Sequence, residues 1–493
     1  MNTPVFNLVG LAGILAGAAL FMGFGLIPSV WLNRRGTISI RIIMGLANLT
    51  LFLALLADLA LVLGGPVQWN YPLAGPVHFS LYFDNFAGLI MTLAALLLVV
   101  VIRFTRHYLA GEPRLGYFAK WLSFTGGAVL LLVIAGNLLQ FSLAWSAVSW
   151  GLHKLLLFYP DRPGARLAAR KKFIISRLGD LGLLAVLVLT LNAFGTWDFA
   201  GIFAAVKEIH PEVAVRMPWQ LPLISSLLVL AAMMKSAQFP FHSWLPDTME
   251  TPTPVSALMH AGIINAGGFL IIRLHSLVAL SPSAMGLLTL VGAFTAVFAG
   301  LVMLTHASVK RALAFSTVAQ MGFMMFECGL GVFSLAALHL VAHSLYKAHT
   351  FLACGEVPQA AKTGAGFRQP PPARLDIAGG ALLVAIVLVG LLSNLLLPGW
   401  QLHTGYLIVG AVFTLAVAHG LWLLWSRLWT LFTGALGILL AALATVSYLG
   451  LHLVFDRILG GIDLPHTGFI NPPGGWVLTG CLLLLAGWLV GQV

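Results

Sequence analysis

The sequence predicts an all-α polytopic membrane protein with about fifteen transmembrane helices. Three observations lead there. Of 493 residues, 60% are hydrophobic and only 8% charged, with mean hydropathy +0.98. A soluble globular domain carries about a quarter charged residues, so this composition cannot cover the chain with a wetted surface. Apolar stretches of about 20 residues, the length needed to cross a bilayer at about 1.5 Å per residue, recur along the whole chain. Lysine and arginine cluster in alternate connections, as cytoplasmic loops require. A water-soluble enzyme is excluded, and so is a disordered chain, which needs low hydrophobicity and high charge.

The expected spans fall near 6–30, 42–64, 85–106, 116–136, 138–158, 173–194, 221–239, 254–276, 283–304, 309–327, 331–354, 377–397, 404–425, 430–454 and 474–492. Residues 1–4 carry no cationic run of the kind that opens a signal peptide, so the first stretch is expected to remain as a transmembrane helix. Trp197 to Glu208 is too short and polar to span and is expected at the interface. Residues 355–376 are rich in Gly, Pro and Ala, with Pro370, Pro371 and Pro372 in a row, and read as a cytoplasmic linker.

Orientation follows from the cations. With the N-terminus outside and the C-terminus inside, inside loops hold Arg34, Arg35 and Arg41, then Arg103, Arg106, Arg114 and Lys120. The richest holds Lys154, Arg162, Arg166, Arg170, Lys171, Lys172 and Arg177, and later ones Lys310 and Arg311, then Lys362, Arg368 and Arg374, then Arg427. Only Lys207, Arg216, Arg273 and Arg457 fall outside. The net charge of +11 is therefore topological and implies no nucleic-acid partner. The loop 160–172 is either a positive-inside anchor or a dock for anionic lipid or an acidic partner. Cys328, Cys354 and Cys481 lie far apart, as small packing residues do.

Ionisable residues inside spans cost about 2.5–3.5 kcal/mol each, so they mark chemistry. Lys235 follows an apolar run and precedes Phe239-Pro240-Phe241, whose proline is expected to break the helix just beyond Lys235. A lysine beside such a break can exchange protons, or else snorkel from a helix end. His260 follows Pro254 in a span rich in Ala and Gly, and is either a proton relay or a structural histidine. His339, His343 and Lys347 recur every four residues and so share one helical face. Three protonatable groups in a row suit a proton wire; a metal half-site and plain packing are the alternatives, and Lys347 would repel a cation. His153 and Lys154 end the fifth span, and Arg177 and Asp180, three apart, can pair. Asp247 and Glu250 follow the helix break and are either where a proton or cation enters from the cytoplasm or solvated loop carboxylates. No Walker loop, GxGxxG after a strand, GxSxG or haem-attachment motif is present, so no cofactor or metal is expected in this chain, nor any catalysis of its own.

Residues 233–261, from Met233-Met-Lys235 through Pro240, Trp244, Asp247 and Pro254 to His260-Ala, closely resemble the antiporter-like subunits of respiratory complex I and of Mrp cation/proton antiporters. So do 309–322, around Lys310-Arg311 and Gln320-Met-Gly322, and 339–348, with His339, His343 and Lys347. The resemblance is strong over residues 80–360. It implies two inverted five-helix repeats, broken helices, and a lysine–histidine chain carrying protons, onto which Lys235, His260, His339, His343 and Lys347 map. The expected division is 1–115 as N-terminal helices, 116–276 and 277–425 as the two repeats, and 426–493 as C-terminal helices.

Two departures matter. Where the family has Trp-Glu, this chain has Trp145-Ser146, so the carboxylate that pairs with the broken-helix lysine is missing. The second broken helix normally carries a lysine, and residues 391–398 have none. With 152–163, 168–180 and 249–254, these departures make the chain similar to DabB-type membrane subunits of inorganic carbon transporters. That resemblance implies a peripheral cytoplasmic DabA-like partner that holds zinc, in a bacterial inner membrane. The expected role is a transporter subunit whose H⁺ or Na⁺ flux drives CO2 hydration by the partner, with Lys235 as central carrier, His153 and Lys154 in altered place of the glutamate, and Asp180 on the same pathway. The rival expectations are an antiporter-like subunit of an Mrp or complex I/hydrogenase-type assembly, and a non-transporting scaffold.

Overall fold

The computed structural model describes residues 5–75, 77–209, 219–356, 375–399, 404–427, 430–460 and 462–463. Its helices are α1 (Val5–Leu26), α2 (Ser29–Arg34), α3 (Gly36–Gly64), α4 (Asn85–Tyr108), α5 (Leu115–Ile134), α6 (Leu138–Leu156), α7 (Pro163–Phe194), α8 (Phe199–Lys207) and α9 (Gln220–Lys235). They continue as α10 (Thr253–Ala261), α11 (Ala266–Arg273), α12 (His275–Val278), α13 (Pro282–Leu304), α14 (Val309–Gly329), α15 (Phe333–Ala353), α16 (Leu375–Leu396), α17 (Thr404–Arg427) and α18 (Leu431–Leu459). Each span expected up to residue 454 coincides with a helix or with a broken pair of helices. The span at 474–492 and most of the linker at 355–376 lie outside the described residues. The polytopic helical fold stands.

It is not purely helical. Strands β1 (Val67–Ala74) and β2 (Val77–Phe83) form an antiparallel hairpin in which Val67, Trp69 and Tyr71 pair with Phe83, Leu81 and Phe79. Alternating apolar residues are the period-two signal of a strand, and it is hidden here between long apolar helices. The hairpin is fastened to the start of α6. Asn137 Nδ2 donates to the His78 carbonyl (2.8 Å), and the Ser80 amide donates to Gln140 Oε1 (2.7 Å). Beside it, Arg273, only 3% exposed at its side chain, donates to Asp84 at 2.6 Å among the rings of Tyr82, Phe86 and Phe269.

Ten described segments are long and apolar enough to cross a membrane on length and composition alone, counting α10 and α11 as one. The long helices α6, α14 and α15 are not among them, and α9 is too short. These four hold Lys235 and Lys347 with the oxygens that they reach, and also Glu327, His339 and His343, because a helix that spends part of its face on serine, lysine and histidine must turn that face to protein rather than lipid.

α9 stops at Lys235, at the expected break and short of the span limit of 239. The Gln238 amide turns back to the Met233 carbonyl at 2.9 Å, and Ala237 takes a positive φ of 50°. The next span is interrupted between α10 and α11. There Asn265 Nδ2 donates to the Ala261 carbonyl at 2.8 Å, satisfying a backbone acceptor that the break sets free. Gly267 lets α11 press against the end of α9: a Cβ on it would lie 2.5 Å from the Ala232 carbonyl oxygen. Gly292 and Gly322 do the same between α13 and α14, where a Cβ on Gly322 would sit 2.5 Å from the Ala296 nitrogen.

Candidate functional site

Three lysines are buried among the described residues, and Lys235 and Lys347 organise the two clusters of the interior. Lys235, 7% exposed, donates from Nζ to Ser149 Oγ at 2.9 Å and to the Trp145 carbonyl at 3.3 Å, and lies 4.3 Å from the centroid of the Trp145 ring. Trp145 and Ser149 are one turn apart on α6, so both face α9. Lys347, fully buried, donates to Ser316 Oγ at 2.8 Å and to the Leu313 carbonyl at 3.3 Å, both on α14. Each lysine is thus held by one hydroxyl and one carbonyl of a facing helix. Among the described residues neither has a carboxylate in hydrogen-bonding contact.

Around Lys235 the structure adds a residue that the sequence reading assigned to the cation-rich loop. α7 begins at Pro163, which places Lys172 inside the helix, 3% exposed, with Nζ donating to the Ser149 carbonyl at 2.5 Å. Asp180 lies eight residues further along α7, two turns on and so on nearly the same face. It pairs with Arg177 at 2.7 Å, faces Ser146, and interacts electrostatically with both Lys172 and Lys235. His153 stacks near Phe173, ring centroids 5.3 Å apart, and senses the charge of Lys172. Lys154 points elsewhere: its amine lies over the rings of Trp121 and Trp150, at 5.8 and 5.6 Å. Of the two residues expected to stand in for the missing glutamate, only His153 borders the Lys172 amine.

Around Lys347 the polar groups are mostly imidazoles. His260 is fully buried; its Nδ1 lies 3.1 Å from Thr317 Oγ1, and its ring stacks on Phe351 at 4.2 Å. His343, on the Lys347 face of α15, interacts electrostatically with Lys347, His260 and His339. His339 and His343 have ring centroids 6.3 Å apart. His339 contacts Glu327 through Nδ1 and Gln320 through Nε2, each at 2.9 Å. Glu327, 3% exposed, went unremarked in the sequence, although an acid in an apolar span is the kind of costly group that marks chemistry. Its spacing of seven from Gln320 puts both on one face of α14. Near the start of α15, the Ser334 amide donates to Asp463 Oδ1 at 2.7 Å and its hydroxyl to Asp456 Oδ1 at 3.3 Å, while Tyr406 donates to Asp463. Carboxylates suit that helix end, where the dipole is positive.

A cavity of about 60 Å³ borders residues adjacent to both clusters, among them Val148, Ala261, Gly262, Asn265 and Ser344. Asn265 Nδ2 also donates to Ser344 Oγ at 2.7 Å, linking the helix break to α15.

Asp247 and Glu250 are both engaged. Asp247 pairs with Lys171 at 2.6 Å and lies 3.8 Å from Arg311. Glu250 Oε2 accepts from the Ala165 amide at 3.0 Å, capping the first turn of α7, and its carbonyl accepts from Arg162 at 3.2 Å. They tie the helix-break segment to the start of α7.

Comparison with known proteins agrees with this architecture. The transmembrane model of the NADH:quinone oxidoreductase/Mrp antiporter family matches residues 135–437. "Probable inorganic carbon transporter subunit DabB2" of Halothiobacillus neapolitanus is 46% identical over 285 residues, 57% of this chain and 50% of that protein. "Probable inorganic carbon transporter subunit DabB" of Hydrogenovibrio crunogenus is 41% identical over 297 residues, 59% of this chain and 56% of that protein. The chain thus spans about half the length of these curated relatives. In fold it is similar to a chain in the structure of the Mrp complex from Dietzia sp. DQ12-45-1b, with TM-score 0.65 and 22% identity, covering 99% of this chain and 56% of that one.

Proposed function

Because this chain belongs to the NADH:quinone oxidoreductase/Mrp antiporter family, we propose that it conducts H⁺ through its buried amines and imidazoles, as the membrane subunit of an inorganic carbon uptake complex. The observation that carries this reading is the pair of lysines, Lys235 and Lys347, each buried against a neighbouring helix with, among the described residues, only neutral oxygens as hydrogen-bond partners. The names of the relatives at 46% and 41% identity support the cargo. Lys235 serves as central carrier, and His260, Lys347, His343 and His339 as the onward wire. Lys235 then belongs to a first repeat, 116–276, and Lys347 to a second, 277–425.

The energetic logic is simple. One charge crossing about 100 mV releases about 2.3 kcal/mol. Fully coupled, that biases a hydration equilibrium by roughly fiftyfold, since about 1.4 kcal/mol is tenfold. In this reading a peripheral DabA-like partner on the cytoplasmic side holds zinc and hydrates CO2 to bicarbonate, and proton flow through this chain makes the step one-way. The chain sits in the bacterial inner membrane with its N-terminus outside and C-terminus inside, an orientation that turns the 162–171 cations and the Asp247–Lys171 pair toward the partner.

The test is inorganic-carbon uptake in cells lacking carbonic anhydrase, expressing this chain with or without the partner encoded beside it, with or without an uncoupler. Uptake is expected only with both chains and is expected to collapse with the proton gradient. Uptake that survives the uncoupler and follows sodium instead identifies Na⁺ as the driving ion. No uptake in any combination, with the protein correctly inserted, overturns the carbon reading and returns the chain to cation/proton antiport or to an oxidoreductase.

A further inference from the structure

We propose that Lys172 is a second proton carrier, which loads Lys235 across Ser149. The inference rests on the proton-conducting reading above and extends it to a residue that composition alone assigns to a loop. Three observations carry it. Lys172 is buried within α7 rather than held in the cation-rich loop that precedes it. Its Nζ and that of Lys235 converge on one residue, Lys172 on the Ser149 carbonyl at 2.5 Å and Lys235 on the Ser149 hydroxyl at 2.9 Å. Charge is also unbalanced there: Lys172, Lys235 and Arg177 face a single carboxylate, Asp180, which is already paired with Arg177 at 2.7 Å.

Two ammonium groups this close in a low-dielectric interior repel strongly. Their protonation is therefore coupled, and protons belong to the pair rather than to either amine. A structural cation gains nothing from such a neighbour, whereas a relay needs it, because an arriving proton weakens the hold on the one already bound. The groups facing the pair are His153 and the Ser146 and Ser149 hydroxyls from α6, and Arg177 and Asp180 from α7.

The transfer balances simply. Lysine is a flexible donor with three hydrogens, and Nζ of Lys172 needs only to swing from the carbonyl to the hydroxyl of the same residue. Its N–H then passes a proton to Ser149 Oγ as the Ser149 O–H passes its own to neutral Lys235. One N–H bond breaks, one forms, serine is unchanged, and the positive charge has moved from Lys172 to Lys235. His153, one turn beyond Ser149 on α6 and within electrostatic reach of Lys172, is placed to resupply it from the cytoplasmic side.

The test reconstitutes the full chain with its peripheral partner in liposomes and follows proton flux into a pyranine-loaded lumen, driven by a potassium diffusion potential. Arginine keeps the positive charge and the hydrogen bonds but does not release its proton. Lys172→Arg and Lys172→Met are both expected to lower flux about tenfold or more, with partner binding and melting temperature kept. Wild-type flux in Lys172→Arg overturns the proposal, because a fixed cation then suffices. If neither variant inserts, Ser149→Ala decides: it removes the bridging hydroxyl and leaves the backbone carbonyl for Lys172. Flux is expected to fall in that variant, and unchanged flux overturns the relay. The readout separates this proposal from the carbon reading. Wild-type flux without carbon uptake sinks the latter alone, and carbon uptake with full flux in Lys172→Arg sinks the relay alone.

Discussion

Lys235 and Lys347 are held alike and surrounded differently. Each reaches one hydroxyl and one carbonyl on a facing helix, Ser149 and Trp145 for the first, Ser316 and Leu313 for the second. Around Lys347 lie His260, His343 and His339, ending on the buried carboxylate of Glu327. Around Lys235 lies another lysine, with the carboxylate of Asp180 shared with Arg177. The first environment gathers excess positive charge and the second ends in a negative one. A chain that lacks the glutamate expected at Ser146 has therefore not simply lost a counter-charge. It has gained an amine at Ser149, three residues further along the same helix.

The sharpest way to break this comparison is to remove each lysine. Lys235→Ala is expected to abolish inorganic-carbon uptake with insertion and partner binding intact, and wild-type uptake in that variant ends its role as a carrier. Lys347→Ala should be as severe if both clusters lie on one pathway. Full uptake there would confine conduction to the first cluster.

Next in size is the seal beside the hairpin. Arg273→Gln leaves Asp84 without its buried partner, a loss of about 3–5 kcal/mol, read as a lower melting temperature in detergent. Uptake per inserted molecule should stay near wild type, which separates a structural cation from the two carriers. Glu327→Gln tests the negative end of the second cluster. Removing the charge that meets His339 is expected to cost about 1.5–3 kcal/mol of charge-assisted hydrogen bonding, and to slow uptake without lowering expression. An unchanged rate would make that contact packing only. The smallest effect is expected at the half-exposed Lys171–Asp247 pair, where Lys171→Ala should shift stability by less than about 1 kcal/mol and leave uptake unaltered. A large loss of uptake there would instead support Asp247 as the point where protons enter.

Much of this was legible in the chain. Hydropathy located the helices because a bilayer admits few other solutions for an apolar backbone. Pro240 announced the break just beyond Lys235, and α9 does stop at Lys235, where the Gln238 amide turns back to the Met233 carbonyl. The spacing of four put His339, His343 and Lys347 on one face. Lys172 was misplaced for an equally physical reason: it ends a run with Arg170 and Lys171, and a cation run next to a span looks like a topology signal. Glu327 is legible by the same rule as Lys235, since an acid in an apolar span is equally costly. The hairpin was hidden because its alternation is short and lies between long apolar helices.

The sequence by itself determined the solvent, the helices, the family and the amines and imidazoles that a membrane would not hold without purpose, since all of these follow from local composition and spacing. Only the tertiary structure decided which of those groups meet. Lys172 and Lys235 are 63 positions apart in the numbering and converge on Ser149 because α7 and α9 both pack their polar faces toward the same serine of α6. Glu327 joins the histidine row because α14 lies against α15. Charge that is scattered along a chain acquires its chemistry from contact, and contact between distant helices is written in packing rather than in spacing.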